Sequence, residues 1–73
     1  MDDFYGELAD CLDVEGVKAS DALDAFPEWD SLAKLSLIAM VGARYGVHLT
    51  AADLLGVDTA QSLHNLVARK RGE

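Results

Sequence analysis

Seventy-three residues with a net charge of −7 suffice for one small domain, expected to occupy the whole of 1–73, with a modest core and no room for an enclosed active site. Half the residues are apolar, which excludes a disordered chain. The acidic balance excludes binding driven by nucleic-acid phosphates, and the single cysteine, Cys11, excludes an intrachain disulfide and the multi-cysteine metal motifs.

Phe4, Leu8, Cys11 and Leu12 recur at helical spacing with acids between them, which predicts a first helix. Asp2 and Asp3 suit its start as cap and dipole partners. Residues 14–30 lose the pattern. They hold Gly16, Ser20 and Pro27, with isolated apolar residues at Val14, Val17, Leu23 and Phe26. A long loop is expected there, its apolar residues folded back over the core, with room for one short helical turn.

The strongest helix is predicted over about Ser31 to Tyr45, with Asp30 as N-cap and Gly46 as stop. At about 100° per residue, Leu35, Leu37, Ile38, Val41 and Tyr45 are expected to share one wide inner arc, with Leu32 and Ala39 at its edge. Val47, His48 and Leu49 follow as an extended link. Thr50 and Asp53 have capping-box spacing and predict a short third helix ending by Gly56. The run Asp58-Thr59-Ala60-Gln61 caps a last helix to about Arg71, with Leu63, Leu66 and Val67 facing inward. The fold class is therefore all-α: a four-helix bundle with one short helix and a long loop after the first. Leu8, Leu12, Leu37, Val41, Tyr45, Leu49, Leu63 and Leu66 are its expected core.

Charge is unevenly spread. Residues 1–30 carry ten acids and one base, a net of −9, whereas 31–73 carry a net of +2, with no acid from Ser31 to Ala52. No apolar run approaches the length of a membrane span. The Met1-Asp2-Asp3 start lacks the basic region of a signal peptide, so a cytoplasmic location is expected. The basic tail Arg69-Lys70-Arg71 reads as a dipole-matched helix end rather than a nucleic-acid patch.

No catalytic constellation stands out. His48 and His64 lie in no catalytic or metal motif and read as surface residues. Cys11 reads as a small core residue, since burial disfavours its thiolate. The early carboxylates lack the spacing of a calcium loop and read as a solvated acidic face, so no metal site is expected. The distinctive segment is Glu28-Trp29-Asp30-Ser31-Leu32. A serine opening a strong helix after a long loop projects its hydroxyl to solvent, and a phosphodiester formed there would sit at the positive end of the helix dipole.

The residues Trp29-Asp30-Ser31-Leu32-Ala33, then Leu35, Leu37-Ile38, Val41, Tyr45-Gly46-Val47, Leu49-Thr50, Asp53-Leu54, Thr59 and Leu63, resemble the acyl carrier protein family over about Phe4 to Val67. The resemblance implies a non-enzymatic carrier. Its Asp-Ser-Leu serine, Ser31, would begin the second of four helices and bear 4′-phosphopantetheine, transferred from coenzyme A by a phosphopantetheinyl transferase. By position, Asp30, Leu32, Leu35 and Ala39 would be partner contacts. The other implied partners are an acyl- or aminoacyl-loading enzyme and downstream transferases or synthases, met by a monomeric carrier.

The family's fatty-acid members line this second helix with acids. Here Lys34, Ser36, Gly42, Ala43 and Arg44 stand instead, a pattern that looks more like free-standing carriers of specialised pathways, including polyketide, aminoacyl and sugar-decorating ones. Two alternatives stay open: an aminoacyl or peptidyl carrier, and a helical interaction module that is never modified.

Overall fold

The computed structural model describes residues 3–72; Asp2, one of the expected cap residues, lies outside them. Four α-helices make up most of that span: α1 (Phe4–Leu12), α2 (Ser31–Tyr45), α3 (Ala51–Leu55) and α4 (Ala60–Arg71). Among the described residues there is no strand, only an isolated antiparallel bridge between Ala22 and Thr59. The all-α expectation holds, with the third helix short and the long loop after the first.

The helix ends follow the sequence's capping chemistry. The Asp30 carboxylate accepts a hydrogen bond from the Ala33 N–H at 2.9 Å, occupying one of the amides that a helix start leaves unpaired. At the other end of α2, Gly46 takes a left-handed conformation with φ 66°, which glycine adopts without a Cβ penalty. Thr50 and Asp53 form a reciprocal capping box on α3, and Thr59 caps α4. The α1 start differs. Asp3 occupies the N-cap position, but its side chain makes no cap hydrogen bond.

The long connection is pinned rather than loose. A short 3₁₀ turn spans Leu23–Ala25, and Leu23 is wholly buried while Val14, Val17 and Phe26 pack against the core. Backbone hydrogen bonds tie it to the α3–α4 connection: Leu23 N–H to the Asp58 carbonyl at 2.9 Å, and Ala60 N–H to the Asp21 carbonyl at 3.0 Å.

α1 packs against both α2 and α4. The centre is built by Phe4, Leu8 and Leu12 from α1, Leu37 and Val41 from α2, and Leu63 and Val67 from α4, all at 0–1% exposure. Leu49 joins them. Tyr45 and Leu66, expected inside, are only half-buried at the edge.

The main correction concerns α2. Leu35, expected on the inner arc, is 64% exposed. Two residues turn a helix by about 200°, so Leu35 lies nearly opposite the fully buried Leu37. Ala33 takes the inner place instead, one turn before Leu37. With Leu37 and Val41 it forms the i, i+4, i+8 stripe that faces the core.

Candidate functional site

Ser31 is the first residue of α2 and is exposed. Its position follows from local chemistry. The Asp30 side chain caps the helix and holds the chain extended just before it, with φ −114° and ψ −174°. Among the described residues, the Ser31 hydroxyl has no hydrogen-bond partner. Asp30, expected as a partner contact, is exposed but works first as this cap.

Leu32, Leu35 and Ala39 are all exposed. At about 100° per residue they fall within about 60° of one another on the side of α2 turned from the core. Ser36, Gly42 and Ala43 extend this surface. The whole outward face is uncharged: by the same rotation Lys34 and Arg44 fall on the half of α2 turned toward the core, where Arg44 reaches the buried Glu7. Among the described residues, three large apolar side chains stand out into solvent: Leu32 at 73%, Leu35 at 64% and Leu55 at 81%. Leu55, on α3, escapes a sequence reading based on core stripes. Its signal is the Leu54-Leu55 pair, in which the buried Leu54 leaves its neighbour turned outward.

Ser31 stands among side chains with distinct roles. A shallow groove beside it is lined by Glu28, Asp30, Leu32, Ala33, Ser36 and Cys11. The Lys34 ammonium lies 5.5 Å from the centre of the Trp29 ring, a cation–π distance. Cys11 is half-buried at the far wall, not in the core centre. Burial, then the nearby Asp10 and Glu7 charges, push its thiol up, so it is a poor thiolate.

One acid and one histidine defy the reading of the early carboxylates and histidines as plain surface. Glu7 is buried, accepts a hydrogen bond from the Tyr45 hydroxyl and pairs with Arg44 at 2.6 Å. Burial, and then the hydrogen bond to the anionic Glu7, push Tyr45 up to about 12. This arrangement locks α1 to the end of α2. His64 is also not a plain surface residue. It stacks on Tyr5 with centroids 5.4 Å apart and meets Phe4 edge-on. His48 is exposed as expected.

No group of three or more His, Cys, Asp or Glu side chains among the described residues is placed to hold a metal ion. None of the described helices is long and apolar enough to cross a membrane. No family model, no curated protein and no solved structure matches the chain.

Proposed function

We propose that the chain is a carrier protein bearing 4′-phosphopantetheine on Ser31 and presenting acyl-type intermediates to successive enzymes. The observation that carries this reading is the exposed, unbonded Ser31 hydroxyl at the capped start of α2, beside the outward Leu32 and Leu35. The residues fit the group. A hydroxyl free of hydrogen bonds is available for phosphodiester formation, and the amides at the helix start favour negative charge.

When bound, the group supplies a terminal thiol, on an arm on the order of 20 Å long, that holds cargo as a thioester. The protein's own thinnest dimension is 20 Å, so an attachment point on the outside of α2 lets cargo clear the body and enter a partner's site. Ser31 anchors. Asp30 fixes the helix start on which Ser31 stands. Leu32, Leu35 and Ala39 offer a small apolar surface, suited to brief docking rather than stable association. Tethering at one residue replaces free diffusion with a high local concentration.

The uncharged outer face of α2 supports a role in a specialised pathway over fatty-acid synthesis, whose carriers display acids there. Acyl cargo of the polyketide-like type is the leading reading.

The experiment is incubation of the folded protein with coenzyme A, magnesium and a broad-specificity phosphopantetheinyl transferase, read by intact mass. One phosphopantetheine is expected, and none on Ser31→Ala. Labelling at Ser20, Ser36 or Ser62, or no labelling of folded wild-type protein, overturns the proposal.

A further inference from the structure

Lys34 is the one base in a long stretch of chain. The nearest others in sequence are Lys18 before it and Arg44 after it, while Asp24, Glu28 and Asp30 precede Ser31. A phosphodiester on Ser31 therefore enters an acidic neighbourhood that contains one nearby cation in sequence. Lys34 lies three residues after Ser31 in the same helix, and i, i+3 side chains are neighbours, about 5–6 Å apart at Cβ. Helical side chains also lean toward the N-terminus, which carries Lys34 back over the first turn, toward Ser31 and Trp29. Its ammonium sits 5.5 Å from the Trp29 ring centre, and no carboxylate among the described residues forms a salt bridge with it.

We infer that Lys34 is the positioning residue for the modified serine: its ammonium rests over Trp29 in the unmodified protein and moves to the phosphodiester once Ser31 carries it. This rests on the carrier reading above. The two positions need no change in α2, because only the end of a flexible side chain swings. A charge-assisted contact to a phosphate oxygen is stronger than an exposed contact to an aromatic face. Bound in this way, Lys34 offsets the acids around Ser31 and restricts the direction in which the arm leaves the helix.

Trp29 is the only tryptophan, which makes the exchange observable. Protons on the Lys34 ε-carbon, held over the indole, are shifted upfield by its ring current. In NMR of the unmodified protein that upfield shift is expected. After enzymatic loading, checked by intact mass, the shift should relax toward that of a free lysine, while Ser31→Ala treated identically keeps it. The ³¹P resonance of the loaded protein should move in Lys34→Met and return toward the wild-type position in Lys34→Arg. If mass shows the arm in place but the Lys34 protons stay upfield and the ³¹P resonance is the same in all three proteins, the Lys34 assignment is overturned and the carrier reading stands. If folded protein gains no arm, the carrier reading itself fails and this assignment falls with it.

Discussion

Replacing Leu37 by alanine tests the packing on which the orientation of α2 depends. Leu37 has no exposed surface, so truncation deletes roughly three carbon groups from the core at about 0.8 kcal/mol each. The cavity left behind adds to this, and buried Leu→Ala changes cost about 2–5 kcal/mol in all. A value of about 3–4 kcal/mol is expected here, because Leu37 lies wholly inside the core cluster, where the surroundings relax only partly around a new cavity. At roughly 0.05–0.15 kcal/mol per residue, a domain of 73 residues has about 4–11 kcal/mol to lose. With a urea slope of about 1 kcal/mol per molar, the midpoint should fall by about 3 M, followed by far-UV circular dichroism. Leu35→Ala is the matched control. Leu35 is two residues away and largely exposed, so its truncation should change stability by no more than about 0.5 kcal/mol. Equal losses for the two variants would refute the assigned faces of α2, and with them the outward surface beside Ser31.

Thr59→Ala removes the oxygen that accepts from the Ser62 N–H at 3.1 Å; a loss of about 1 kcal/mol is expected in the same urea assay. Tyr45 gives a pH dependence of known sign. Its folded pKa of about 12 lies above the unfolded value of about 10, so the folded state holds the proton more tightly. Its stabilising contribution is complete below about pH 10 and is lost as pH rises toward about 12. In thermal melts across that window, Tyr45→Phe should decline less steeply than wild type. For recognition, Leu32→Ala should weaken loading by the cognate enzyme more than Lys34→Ala does, since central apolar anchors set affinity and rim charges mainly tune association rate. Steady-state kinetics on the phosphopantetheinylated proteins at low and high salt would measure both, with only modest slowing expected at high salt.

Much of the fold was legible because its signals are local. Asp30, Thr50 and Thr59 each act on an amide within three residues, and Gly46 ends α2 through its own backbone, so the sequence alone located the helix ends. Ser31 was found for the same reason: its exposure follows from opening α2 behind a cap. The face of α2 was harder. Leucines at both 35 and 37 satisfy an apolar arc if the arc is drawn wide. Only the packing of α2 against α1, with Leu37 and Val41 inside the core, shows that Ala33, not Leu35, completes it.

The remaining differences are long-range. Glu7 stands three residues after Phe4 and four before Cys11, at the edge of the apolar face, but its partner Tyr45 lies 38 positions away, so nothing local shows that its carboxylate is paired. His64 finds Phe4 and Tyr5 only because α4 returns alongside α1. Asp3 shows the opposite limit. A favourable residue type stands at the cap position, yet it makes no cap hydrogen bond.

The most direct test of the carrier account is the intact mass of this protein purified from its native host. The account predicts a population heavier by one phosphopantetheine, with or without a thioester-linked cargo, and fragmentation that puts the added mass on Ser31. A folded protein recovered wholly unmodified, or modified at a residue other than Ser31, would contradict it.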